Sequence, residues 1–169
     1  MAFSCTKMLR EKGFPAQIKW PNDILIDGKK IGGVLTETIS LDHSIGVVLG
    51  IGFNVNMEKE TLDKIDQPAT SLLQLSGKVW DLKLILQSLM QEFLKNFQQL
   101  EKKGFQAFEK HFNELLAYKG QKIQCHDGTQ TYEGVCHSVT SEGRLQLQLP
   151  TGEMKSLSAG EFRLQKPEY

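Results

Sequence analysis

Hydrophobic positions change their spacing three times along the chain, and each change predicts a different element. Ala2, Phe3, Cys5, Met8 and Leu9 recur at helical intervals, and Gly13 suits the C′ position that ends such a helix. Two short apolar arms follow, Ile24-Leu25-Ile26 and Ile31 to Leu35, and then a third strand over 45–55. A polar stretch with Asp63, Asp66 and Pro68 reads as loop. Asp81 suits the N-cap of a helix whose Leu82, Ile85, Leu89, Phe93 and Phe97 return every three or four residues, an ordinary core-facing stripe. A second helix over 105–118 stops near Gly120. Beyond it, short alternating runs broken by Asp127-Gly128, Glu142-Gly143 and Thr151-Gly152 have the pattern of a small β-barrel of about fifty residues. The expected class is α+β, with one domain over 1–118 and a barrel over 119–169.

The two apolar arms flank Asp27-Gly28, a strong signal for a two-residue type I′ hairpin, in which both central residues need φ > 0. With that turn, Ile26 faces Lys29, Leu25 faces Lys30 and Asp23 faces Gly32. Side chains alternate along a strand, so Asp23, Leu25 and Lys30 emerge on one face. Asp23 is then diagonal to Lys30, within reach of its charge. A carboxylate and an ammonium beside Gly32 and Gly33 suit an anionic substrate better than a plain core hairpin. The alternative for Lys30, a solvated lysine, already has an occupant in Lys29 on the opposite face.

The third strand has a similar asymmetry. Ile45, Val47, Leu49, Ile51 and Phe53 are large and apolar, which predicts a core face. Gly46, Val48, Gly50, Gly52 and Asn54 alternate with them, leaving the other face nearly bare backbone. Glycine weakens a strand interior and marks a bulge, close packing, or close approach of a ligand. A flat ring fits such a face, with Asn54 supplying hydrogen bonds.

Charge and composition narrow the classes. Among 169 residues, 40% are hydrophobic and 24% charged, enough for one domain plus a small appendage. Twenty basic and twenty acidic residues cancel, so no electrostatic case for nucleic acid arises. No apolar run approaches the ~20 residues of a membrane span, and Met1 to Lys12 lacks a signal-peptide pattern. Three cysteines do not make a disulfide framework, and the cytoplasm is the expected location. Cys125-His126 and Cys136-His137 are adjacent pairs, and neighbouring strand residues point to opposite faces. No metal site is expected there; the cysteines read as small core residues.

Three blocks carry a family resemblance. Lys19-Trp20-Pro21-Asn22-Asp23, with Lys30-Ile31-Gly32-Gly33-Val34-Leu35 and Glu37, is similar to the central block of biotin protein ligases, KWPND…K-[ILV]-[AGS]-G-[IV]-L-x-E. Gly50-Ile51-Gly52-Phe53-Asn54-Val55-Asn56 resembles the family's G-x-G-x-N-V-N, and Ala69-Thr70-Ser71-Leu72 its A-T-S-L. The resemblance implies part of a class II tRNA synthetase-like catalytic domain followed by an SH3-like barrel. It implies adenylation of biotin by ATP with Mg²⁺, then transfer to a lysine of the biotin carboxyl carrier protein of acetyl-CoA carboxylase. It implies Lys30 and Asp23 as catalytic, with Lys30, Gly32, Gly33, Gly50 and Gly52 around biotin. Lys19, Asn22 and Asn54 match positions near ATP. Lys19 shares strand parity with Asp23, although Pro21 disturbs that strand. Trp20 reads as core or pocket wall.

Members of the family carry an upstream Gly/Arg-rich loop and biotin-holding Ser/Thr and Gln residues, whereas this chain opens inside a helix. The expectation is that the isolated 169 residues bind biotin weakly and show little ligase activity. They should also expose a sheet edge and apolar area that favour a homo-oligomer. The alternative function is a non-catalytic or split fragment that binds a partner. A lipoate ligase relative is disfavoured by the KWPND and K-I-G-G forms, and no helix-turn-helix for repression is visible.

Overall fold

The chain's central feature is a long antiparallel ribbon joined to a tight hairpin. The computed structural model describes residues 1–42 and 44–164. Helix α1 (Ala2–Glu11) leads into β1 (Ala16–Lys19), β2 (Asp23–Ile26), β3 (Lys29–Leu41) and β4 (Ser44–Phe53), which form a sheet in the order β1-β2-β3-β4. Gly13, at φ +89°, lies just beyond α1, and Gly13 N–H donates to Arg10 O at 3.0 Å. Two short helices, α2 (Lys59–Leu62) and α3 (Leu72–Ser76), flank the expected loop with Asp63, Asp66 and Pro68, and α4 (Leu82–Lys103) is a long helix. Asp81 caps it, accepting from Lys83 N–H at 2.8 Å and Leu84 N–H at 3.3 Å.

Contacts divide the chain into two units: Met1–Gln17 with Asn22–Asn96, and Ile18–Pro21 with the chain from Phe97 onward. In the first, Cys5, Met8 and Leu9 of α1 pack with Ile24, Ile26 and Ile31 of the hairpin and with Ile85 and Leu89 of α4. The buried stripe of α4 then turns polar. Glu92 and Asn96 are each 8% exposed. Glu92 pairs with Lys7 at 2.5 Å, and Asn96 Nδ2 donates to Ser4 Oγ at 3.0 Å. The predicted stripe is therefore corrected at both ends, because Leu82 and Phe97 are 60% and 41% exposed. The residues that follow Ile85 at intervals of four, three and four are Leu89, Glu92 and Asn96, and this row faces α1.

The predicted core face of the third strand needs a larger correction. Ile45, Val47 and Leu49 are 73%, 59% and 38% exposed, whereas Ile51 and Phe53 are half-buried. The reason is length. β2 pairs with β3 only from Lys29 to Gly33, while the β3–β4 pairing runs from Gly32↔Phe53 out to Leu41↔Ser44. The distal part is thus a two-stranded ribbon. Alternation makes a strand two-faced, but burial needs a layer to cover the face, and among the described residues none covers this end.

In the second unit the predicted helix over 105–118 is a 3₁₀ turn (Phe105–Ala107) followed by α5 (Glu109–Leu115). Strands β5 (Lys122–His126), β6 (Thr131–Val139), β7 (Leu145–Gln148), β8 (Met154–Leu157) and β9 (Glu161–Leu164) form a sheet in the order β8-β7-β6-β5-β9. The expected barrel is not closed among the described residues. Both outer strands have four residues, and β9 runs back along β5 rather than beside β8. Cys125 and Cys136 are fully buried in this unit. Burial is the main cause that pushes both thiols up to about 11. Their neighbours His126 and His137 are exposed, as strand alternation requires.

Two outcomes follow from this packing. Ile24→Ala, in the covered hairpin, should cost about 2–5 kcal/mol in denaturant unfolding, whereas Val47→Ser on the ribbon should stay within about 0.5 kcal/mol. Burial acts to raise the Glu92 carboxyl, but its hydrogen bonds from Lys7 and Asn96 and the Lys7 and Lys95 charges hold it below its ordinary value. A depressed folded pKa stabilises the fold above the unfolded value of about 4.3 and loses that contribution as pH falls through the folded value. Thermal unfolding between neutral pH and strong acid should therefore show a smaller acid loss for Glu92→Gln than for the parent. Equal slopes would remove Glu92 as a source of acid lability.

Candidate functional site

The turn between β2 and β3 is the one the sequence predicts, with Asp27 at φ +50° and Gly28 at φ +73°. Ile26 pairs with Lys29 and Leu25 with Lys30, but Ile24 then pairs with Gly32 and Asp23 with Gly33. A bulge has entered at Ile31, so Asp23 does not face Gly32 as the uninterrupted register requires. Ile31 is fully buried, and placing it in the core adds the extra residue to one strand. The predicted proximity of Asp23 and Lys30 survives the shift, with Lys30 Nζ 2.6 Å from Asp23 Oδ1.

The pair is partly shielded, with side chains 29% (Lys30) and 16% (Asp23) exposed. It stands in a cavity of about 580 Å³, within the ordinary size of small-ligand sites. Gly32, Gly33, Gly50 and Gly52 all border the cavity, as do Asn22 and Asn54. The glycines have different physical roles. A Cβ on Gly52 would meet nothing within 4 Å, so this backbone is open to an occupant. A Cβ on Gly33 would lie 2.8 Å from Asp23 Oδ1 and 3.2 Å from Lys30 Cε, so its bareness leaves room for the ion pair. A Cβ on Gly32 would press on Gly52 O at 2.8 Å and on the Phe53 ring at 3.3 Å, which makes its bareness a packing requirement. At Gly50 the nearest atom, Leu35 Cβ, would be at an ordinary 3.8 Å.

Both asparagines spend their side-chain amide on the fold. Asn22 Nδ2 donates to Val34 O at 2.6 Å, while Asn22 O accepts from Val34 N–H at 3.0 Å. Asn54 Nδ2 donates to Thr70 O at 3.1 Å. Lys19 ends β1, half-buried, and is not among the cavity-lining residues. Its parity with Asp23 does not hold, because β1 stops at Lys19 and β2 starts at Asp23. Trp20 is buried, and its Nε1 donates to Gly143 O at 2.9 Å, a core role. Sequence reasoning missed Ile65, Gln67 and Ala69, which form the wall contributed by the loop before α3. Only the A-T-S-L resemblance pointed near them; nothing in the hydrophobic spacing says that this loop returns to Lys30.

An ammonium held by one carboxylate, beside a stretch of open backbone and apolar side chains, suits a ligand that is partly flat and partly anionic. Comparison with known proteins agrees with that geometry. Residues 1–54 match the model of the biotin/lipoate A/B protein ligase family. Over 149 residues, 87% of this chain and 46% of the relative, the chain is 33% identical to the bifunctional ligase/repressor BirA of Bacillus spizizenii. It is 31% identical over 145 residues to the biotin–[acetyl-CoA-carboxylase] ligase of Mycobacterium tuberculosis, covering 85% of this chain and 51% of that one. The fold superposes with a TM-score of 0.85 on the biotin protein ligase of Aquifex aeolicus in complex with biotin and ATP, at 29% identity, over 98% of this chain and 69% of that one. Fold, motifs and relatives agree in a likeness to biotin protein ligases. It spans about half the length of the curated relatives it matches.

The glycine geometry predicts three different responses to alanine. Gly52→Ala should leave the melting temperature nearly unchanged. Gly32→Ala should overpack the hairpin at a cost of about 1–3 kcal/mol. Gly33→Ala should keep the fold, because the displaced atoms end flexible side chains, but should separate Lys30 from Asp23. Melting curves check the first two, and the Lys30 Nζ–Asp23 Oδ1 distance in a crystal structure of the variant, against 2.6 Å in the parent, checks the third. Equal stability losses at positions 32 and 52 would contradict the assignment.

Proposed function

We propose that the protein activates biotin with ATP to biotinyl-5′-AMP and passes the biotinyl group to a lysine of the biotin carboxyl carrier protein of acetyl-CoA carboxylase. The observation that carries this is the Lys30–Asp23 pair at 2.6 Å beside the open backbone of Gly52. In the first step a carboxylate oxygen of biotin attacks the α-phosphorus and pyrophosphate leaves. In the second the carrier's lysine amine attacks the acyl carbon and AMP leaves. Lys30 meets the carboxylate and the phosphate, and its ammonium stabilises the charge that builds up between them. Asp23 orients Lys30 and keeps the ammonium paired before substrate arrives. In this reading Gly32, Gly33, Gly50 and Gly52 border biotin, and Lys19, Asn22 and Asn54 serve ATP.

Mg²⁺ belongs to the proposal as well. It binds through one or two carboxylates together with substrate phosphates, and Asp23 is the acidic side chain among the cavity-lining residues. Asp23 would hold the ion, which when bound neutralises phosphate charge. We assign the catalytic segment to residues 1–118 and the SH3-like domain to 119–169. The cytoplasm is the proposed location: three free cysteines suit it, and among the described residues no helix is long and apolar enough to cross a membrane.

A partner-binding role has its own support in the exposed ribbon, where Ile45, Val47 and Val48 are 73%, 59% and 48% exposed. Apolar exposure of that kind marks association, with a second copy or with another chain.

Lys30→Ala tests the catalytic reading. Loss of one preorganised group that stabilises developing charge costs about 10²- to 10³-fold in rate. In a protein that supplies the family's upstream loop together with these residues, biotin-dependent exchange of pyrophosphate into ATP should fall by that factor while the melting temperature holds. Undiminished exchange in the alanine variant removes Lys30 from the reaction.

A further inference from the structure

The Ala69-Thr70-Ser71-Leu72 segment has no part in the chemistry above, yet it is bonded directly to Lys30. Lys30 N–H donates to Pro68 O at 2.8 Å, Thr70 N–H donates to Lys30 O at 2.9 Å, and Ala69 forms a parallel bridge with Lys30. Both main-chain groups of the lysine are therefore held by this segment and the Pro68 that leads into it. The need for it lies in the sheet. β4 pairs with β3 only as far as Gly32↔Phe53, so at Lys30 that neighbour has run out. Lys30 also stands between the Asp27-Gly28 turn and the Ile31 bulge, two interruptions of the ladder. Residues 68–70 occupy the position β4 has vacated.

Asn54, the first residue after β4, makes the connection. Its N–H donates to Ile31 O at 2.8 Å, its carbonyl accepts from Leu72 N–H at 3.1 Å, and its Nδ2 donates to Thr70 O at 3.1 Å. All three groups tie the residue beside Lys30 to the segment. The far end is anchored by Ser71, fully buried, whose Oγ donates to Met57 O at 2.7 Å and accepts from Gln74 N–H at 3.2 Å. Leu72 is fully buried in the core.

We propose that the Ala69–Leu72 segment is a brace that fixes the Lys30 backbone, with Asn54 and Ser71 as the positioning residues that hold it. Asn54, which borders the cavity on the ATP side in this reading, also supports Lys30 through its bond to Thr70, whereas Ser71, which does not line the cavity, acts on Lys30 alone. This rests on Lys30 being the group that meets carboxylate and phosphate, so the test has two arms that fail separately.

The first arm needs no activity. In Asn54→Ala and in Ser71→Ala, amide exchange at Lys30 and Thr70 should quicken by roughly tenfold or more while Met8 and Leu9 in α1 keep their rates. Unchanged exchange at Lys30 in both variants overturns the brace. The second arm is kinetic. In a protein that supplies the family's upstream loop together with these residues, Ser71→Ala should lower kcat for adenylate formation by roughly ten- to hundredfold, with the KM for biotin and for ATP unchanged. In a Lys30→Ala background the same substitution should cost nothing further, because its effect passes through Lys30. Equal losses in both backgrounds overturn the proposal, whereas a Lys30→Ala variant that turns over normally overturns the reading of the site itself.

Discussion

Lys30 carries a charge into a wall made of glycine backbone and apolar side chains, and much of the first unit is arranged to keep it there. A shielded ammonium is costly unless it is paired and hydrogen-bonded. Asp23 meets that demand at 2.6 Å. The pair in turn needs an empty space beside it, which the missing Cβ of Gly33 supplies. The bulge at Ile31 brings Asp23 opposite Gly33 rather than Gly32, so the irregularity and the ion pair belong together. A regular ladder would have put the wrong glycine beside the carboxylate.

Rigidity at this point comes from outside the hairpin. The turn and the bulge leave Lys30 at a weak place in its own strand, and β4 ends before reaching it. A loop returning from residue 68 supplies the missing main-chain partners. Functional groups are held most accurately by elements whose own backbone is satisfied, and here satisfaction is borrowed from a segment nearly forty residues downstream. The two asparagines follow the same rule: each commits Nδ2 to a main-chain carbonyl, and each borders the cavity.

The two ends of the β3–β4 ribbon contrast in the same terms. Near Gly32 and Phe53 it lies against α1 and the hairpin and helps to build the cavity. Towards Leu41 and Ser44 it has neither a third strand nor a helix over it among the described residues, and its valines and isoleucines face outward. The same alternating pattern thus produces core at one end and exposed apolar side chains at the other.

Local signals were legible in the sequence because their causes are local. Asp27-Gly28 needs positive φ at two successive residues, Asp81 caps the first turn it precedes, and Gly13 ends α1; each depends on neighbours within a few positions. The Lys30–Asp23 pair was legible for the same reason, being set by one short hairpin. The KWPND, G-x-G-x-N-V-N and A-T-S-L blocks carried the likeness to biotin protein ligases that the comparisons also find. Tertiary structure alone decided what depends on distant chain. The burial of Ile31 set the bulge and with it the partner of Asp23. Among the described residues no layer covers Ile45 and Val47, which are exposed despite their core-like alternation. The contact of Ala69 with Lys30 joins positions that no periodicity relates. The apolar pattern specifies which residues can be buried, and only packing specifies which of them are.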